Sequence, residues 1–154
     1  MRAPIAALVV AVLVAGPVSG AHAATPAKKA KTTTVATQLL EVKVKPNPKQ
    51  AKAGNVLFKV KNTGAVEHQL VVVATSAGTA LPTKADGSVD EPAIPAGSEV
   101  GRIDSLLARK SASLKLSGVA KGTYTLFCNL ETLRSDGTYL SHYKLGMHTT
   151  FKVG

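Results

Sequence analysis

The side chains best suited to holding a soft metal are few in this chain, and most of them lie close together. There is one cysteine, Cys128, and one methionine besides the initiator, Met147; His68, His142 and His148 complete the set once His22, in the N-terminal apolar segment, is put aside. All but His68 fall between Cys128 and His148. A lone cysteine cannot form an intramolecular bridge. Three roles stay open for Cys128: an inert buried thiol, half of an intermolecular disulfide, or a metal ligand. The third has a definite chemistry. Two imidazoles and one thiolate in a trigonal arrangement, with a weak axial thioether, make the site of blue-copper electron transfer, because soft sulfur suits Cu(I) and imidazole suits both oxidation states. The chain holds one such set: His68, Cys128, His142 and Met147. A bound copper would also keep Cys128 as a thiolate and shelter it from disulfide exchange.

Short alternating strands must position these residues. From Gln38 the pattern has period two, with Leu40, Val42 and Val44 on one face and Glu41, Lys43 and Lys45 on the other. PNPKQAKAGN turns the chain, and Val56, Phe58 and Val60 then alternate with Leu57, Lys59 and Lys61 up to the turn signal Asn62-Thr63-Gly64. EHQLVVVAT reads as a third strand, with His68 on the face of Leu70 and Val72 and so aimed at the core. Residues 76–99 are rich in Gly, Ser, Pro and Asp and form the long connection, with a short pairing segment expected around Ile103 to Leu107. Five acidic residues lie in or beside it, without the spacing of a calcium loop. Ala112, Leu114 and Leu116 mark a further strand, and Tyr124, Leu126 and Cys128 share a face of the next. HTTFKV closes the domain. With Gly and Pro turns and no amphipathic helix, the reading is an all-β, antiparallel Greek-key β-sandwich. Tyr124, just after a Gly turn, stands where a tyrosine corner belongs.

Composition bounds the rest. Residues 1–23 join Arg2 to an apolar stretch and the small-residue end Ala21-His22-Ala23, and read as a cleaved signal peptide. The apolar run is broken by Pro4, Gly16 and Pro17 and falls short of a spanning helix, so no membrane span is expected after cleavage. Residues 24–35, ATPAKKAKTTTV, are basic and poor in large apolar groups and read as a flexible leader; residues 36–154 are the domain. The protein is therefore expected outside the cytoplasm, in the periplasm, the extracellular space or the cell envelope. Nineteen Lys and Arg against nine Asp and Glu give a formal charge of +10. That balance favours an anionic partner, and an acidic redox protein, an anionic envelope polymer and plain solubility account for it equally. Nucleic acid is not expected, because export and the lack of a basic aromatic platform argue against it.

The pattern resembles the cupredoxins, the plastocyanin and azurin superfamily of small blue copper proteins. The resemblance rests on NTGAVEHQLVV, where a histidine follows an Asn-containing turn, and on GTYTLFCNL followed by HYKLGM and a closing strand. It covers residues 36–154 and implies one type 1 copper held by His68, Cys128, His142 and Met147. It also implies an exposed His142 edge ringed by Val66, Leu145 and Gly146 as the point of electron entry, with the lysines and the long connection steering a partner by charge. One departure stands out. NLETLRSDGTYLS separates Cys128 from His142, where the family has a handful of residues. Such an insertion can loop out at modest entropic cost, and it leaves open whether His142 or His148 is the second imidazole. A site closed by three strong ligands and a weak fourth has no position for substrate. With no Ser/His/Asp set, P-loop or carboxylate pair in the chain, the expectation is a monomeric electron carrier and not an enzyme. The alternative is an envelope protein that binds or delivers copper without shuttling electrons.

Overall fold

The computed structural model describes residues 31–76 and 81–154. The signal-peptide reading and most of the leader reading fall outside those residues. The described chain forms eleven strands in order: β1 (Thr32–Leu40), β2 (Lys43–Asn47), β3 (Gln50–Ala51), β4 (Gly54–Asn62), β5 (His68–Thr75), β6 (Glu99–Leu106), β7 (Ser111–Val119), β8 (Gly122–Phe127), β9 (Glu131–Leu133), β10 (Tyr139–Ser141) and β11 (His148–Val153). One 3-10 turn, Glu91–Ala93, interrupts the long connection.

Two sheets make the sandwich. One has the order β2-β1-β4-β7 and the other β3-β11-β8-β5-β6, while β9 and β10 pair only with each other. The alternation explains the faces. Val56, Phe58 and Val60 of β4 are buried, as are Leu70 and Val72 of β5 and Tyr124 and Leu126 of β8, and these side chains meet in one core. Phe58 and Phe151 close it from opposite sheets, edge to face with ring centroids 5.3 Å apart. The tyrosine corner is formed: Tyr124 Oη donates to the Ala120 carbonyl at 2.8 Å.

Three features differ from the sequence reading. The first sheet is mixed, because β1 runs parallel to β4, and β3 runs parallel to β11. β1 begins at Thr32, inside the stretch read as leader, since its Thr-rich start pairs with Asn55 to Leu57 and Val35 reaches the core. The strand read across Leu40, Val42 and Val44 is two strands joined by a tight turn at Glu41-Val42. Leu39 and Val44 therefore face each other in the core and Val42 is exposed, because the turn resets the alternation.

Candidate metal centre

His68 opens β5, and its place in the alternation with Leu70 and Val72 buries it fully. The loop before it is set by Asn62, the last residue of β4. Asn62 Nδ2 donates to the carbonyls of Val66 at 2.7 Å and Leu106 at 2.8 Å, and its Oδ1 accepts the Gly64 N–H at 2.9 Å. Its side chain thus clamps the 63–67 turn to the end of β6 and fixes where the His68 ring enters. Gly64 must be glycine by space alone: an added Cβ would stand 2.9 Å from His68 Nε2 and 2.6 Å from a Glu41 carboxylate oxygen. Glu41 in turn accepts the Ala65 N–H, so the β1–β2 turn closes over the same loop.

Cys128 follows β8 directly and is fully buried beside Leu126 and Tyr124. Its Sγ accepts the Gln69 N–H at 3.3 Å, and Gln69 Oε1 accepts the Asn129 N–H at 3.1 Å. Asn129 also bonds Val89 in both directions and donates to Glu91, tying the long connection to this end of the sandwich. The last two residues of the set hang on backbone bonds. Met147 N–H donates to the His142 carbonyl and Cys128 N–H donates to the Met147 carbonyl, each at 3.0 Å. Gly146, at φ 97°, makes the turn that brings Met147 back under His142. Met147 is fully buried.

The outcome is a convergence of donors. The Nδ1 atoms of His68 and His142 lie 3.3 Å apart, and Cys128 Sγ lies 3.4 Å from His142 Nδ1. The potential ligand atoms of His68, Cys128 and His142 all fall within 4.8 Å of one another. A neutral imidazole carries one N–H, so two Nδ1 atoms and a sulfur at this spacing cannot satisfy one another fully by hydrogen bonds. A cation among them would meet all three lone pairs, and a sulfur and two imidazoles are a donor set suited to copper. The electrostatics agree. Burial, with a smaller contribution from His142, pushes the His68 pKa down to about 4 against the opposing pull of Glu41, so the ring is neutral and can donate a lone pair. Burial also lowers His142. It raises the Cys128 thiol, partly offset by backbone N–H groups, so this sulfur becomes a thiolate when a metal displaces its proton.

Comparison with solved structures agrees with the architecture. Auracyanin A, a "blue" copper protein from the green thermophilic photosynthetic bacterium Chloroflexus aurantiacus, matches at TM-score 0.54 and 19% identity, over 80% of this chain and 100% of that one. This is the cupredoxin fold. Auracyanin B matches it at TM-score 0.52 and 23% identity over 80% and 88% of the two chains. Rusticyanin from Thiobacillus ferrooxidans does so at 0.54 and 15% over 81% and 79%. No protein-family profile matches the sequence, and no curated protein matches it.

Within this cupredoxin fold, the segment between Cys128 and His142 is not a plain surface excursion. It is the β9–β10 hairpin, turned at Asp136-Gly137 with Gly137 at φ 82° and the Thr138 N–H held by Asp136. Thr132 and Leu140 pair across it, and Thr132 Oγ1 lies 2.8 Å from His142 Nε2. The expectation of an exposed His142 edge is therefore corrected: His142 is 4% exposed, because the inserted hairpin covers it. Thr132 is the residue that sequence reasoning missed, and nothing in its type or spacing distinguishes it. His148 takes another place. It stacks on Tyr143 with ring centroids 4.6 Å apart, outside the cluster, and is half-buried. Around the cluster the turns at Glu41-Val42, Gly64-Ala65 and Gly146 adjoin one another, leaving Val42, Val66 and Leu145 exposed.

Proposed function

We propose that the protein is an exported blue copper electron carrier. His68 and His142 would bind through Nδ1 and Cys128 through Sγ, and Met147 would supply a weaker thioether sulfur. The observation that carries this reading is the convergence of two imidazole nitrogens and one thiol sulfur in a fully buried pocket of the cupredoxin fold. Bound there, copper would accept and release one electron by cycling between Cu(II) and Cu(I).

The chain's own residues do the rest. The paired strands β5 and β8 of one sheet hold His68 and Cys128 at fixed spacing, so the donors need not move between oxidation states. Gln69 N–H, aimed at the Cys128 sulfur, stabilises thiolate charge and thereby the electron-rich form of the site. Thr132 Oγ1 can accept a proton held at His142 Nε2, the tautomer in which Nδ1 keeps its lone pair for the metal. Burial of all four side chains excludes water and leaves no room for a substrate beside the ion, which supports a carrier and not an enzyme. A redox partner protein would approach the end where Val42, Val66 and Leu145 lie exposed beside the hairpin.

The competing reading, a protein that binds and delivers copper, shares these ligands. Cyclic voltammetry of the copper-loaded protein in the presence of a Cu(I) chelator separates the two. A carrier gives a reversible one-electron wave that persists through repeated cycles. Loss of the ion to the chelator on first reduction would assign the protein to delivery.

A further inference from the structure

Lysines that alternate along separate strands in the sequence are gathered by the fold. In β2, β4 and β7 the side chains turned away from the core include Lys43 and Lys45, Lys59 and Lys61, and Lys115, and all five are exposed. Register puts them on one surface. Gln38 of β1 stands opposite Lys45 on one side and Lys61 on the other, Ala36 opposes Lys59, and Lys115 pairs across from Leu57. Strands about 4.8 Å apart and a same-face repeat of ~6.8 Å along each strand set these positions on a grid roughly 7–10 Å in spacing. No Asp or Glu occurs in β1, β2, β4 or β7. The ion pairs among the described residues all use Arg102, on the other sheet, with Glu91, Glu99 and Asp104. The charge is thus divided: lysine is the only charged residue type on one outer face, and the long connection and β6 hold an acidic cluster that Arg102 offsets in part.

We propose that this lysine face docks the protein on an anionic membrane surface by charge alone. Two features choose that occupant over another macromolecule. Protein interfaces draw their affinity from buried aromatic and large apolar anchors, whereas between these lysines stand small or neutral groups such as Ala36, Gln38 and Ser113, with Leu57 half-buried. The lysines also spread in two dimensions over β2, β4 and β7, which suits a planar array of headgroups better than a single linear polyanion. The attraction acts within a Debye length, ~10 Å at about 0.1 M salt, so the face must lie flat against the surface. The metal cluster sits at the strand ends, between the sheets, so this orientation leaves that end free for a redox partner. The docking itself does not depend on the copper reading.

The test is sedimentation of the purified protein with vesicles of phosphatidylglycerol and phosphatidylcholine in equal parts, against vesicles of phosphatidylcholine alone. Binding to the anionic vesicles only, abolished at about 0.5 M salt, is the expected result. Replacing Lys43, Lys45, Lys59, Lys61 and Lys115 by Gln is expected to weaken binding at least ~100-fold. Removing the same charge elsewhere, at Lys52, Lys84, Lys121, Lys144 and Lys152, is expected to cost less than ~10-fold. Thermal melting confirms that each variant folds; should the first not fold, Lys59→Glu with Lys61→Glu is measured in the same way. No binding by the wild type, or equal loss in the two charge-matched variants, would overturn the proposal. So would binding to polyphosphate or to an acidic protein with none to vesicles, which would give the face a different occupant.

Discussion

The two limbs of the proposed metal centre are built by different means. His68 and Cys128 sit in or directly beside strands, and the alternation that buries Leu70, Val72 and Leu126 buries them too. His142 and Met147 lie in the turn between β10 and β11 and are placed by backbone hydrogen bonds and the β9–β10 hairpin. The first limb is as rigid as the core, where moving a side chain means repacking its neighbours. The second hangs on a turn: Met147 is packed in the core, but its place and that of His142 are set by backbone bonds and the Thr132 contact, and turns open locally at lower cost than strands. Two of the four proposed ligands are thus carried by strands and two by a turn that is latched at His142.

That contrast can be broken most strongly from the rigid side. Asn62→Ala removes a buried side chain that serves two carbonyls and one N–H, and it is expected to cost about 3 kcal/mol. The melting point should drop by more than about 10 °C. A variant that melts like wild type would show that the 63–67 turn holds without its clamp.

Acid should act next, on the metal-free protein. His68 titrates near 6.5 when unfolded and at about 4 when folded. Between those values the unfolded chain binds more protons, so stability rises with pH there and is lost as pH falls from about 6.5 to 4. The His68 contribution is on the order of 3 kcal/mol. Denaturant melts of the metal-free protein at pH 7 and pH 4.5 check this, and His68→Gln should flatten most of the difference.

Breaking the latch should have a smaller effect on folding and a selective one on the site. Thr132→Val keeps the shape but removes the oxygen beside His142 Nε2, with an expected cost of about 1 kcal/mol. Loss of copper to a chelator should become about 10-fold faster, and Thr132→Ser should restore it. Unchanged release kinetics would mean that the hairpin covers His142 without holding it. The mildest change is Gly137→Ala, at φ 82° in an exposed turn, which should cost about 1 kcal/mol and leave the copper spectrum as it was.

The same contrast governs what could be read from residue order. The period-two pattern gave the strand faces, so the inward aim of His68 and Cys128 and the tyrosine corner at Tyr124 were legible. The tight turn at Glu41-Val42 was not, because its two residues fit the alternation that they interrupt. Parallel pairing of β1 with β4 leaves no local trace, since it joins segments that no short turn connects. Asn62 was legible as a turn residue but not as a clamp, because its partners at Val66 and Leu106 come together only in the fold. Ser-Asp-Gly announced a turn between Cys128 and His142. The resulting hairpin folds back to set Thr132 against His142, and Thr132 is an ordinary residue whose role is set by where the chain returns.

The ligand set itself is tested most directly by loading the protein with Cu(II) and recording visible absorption and electron paramagnetic resonance beside a Cys128→Ser variant. The proposed site predicts an intense thiolate-to-copper charge-transfer band and narrow copper hyperfine splitting, both absent from the variant. A colourless protein, or one whose copper signals survive without the Cys128 sulfur, would contradict it.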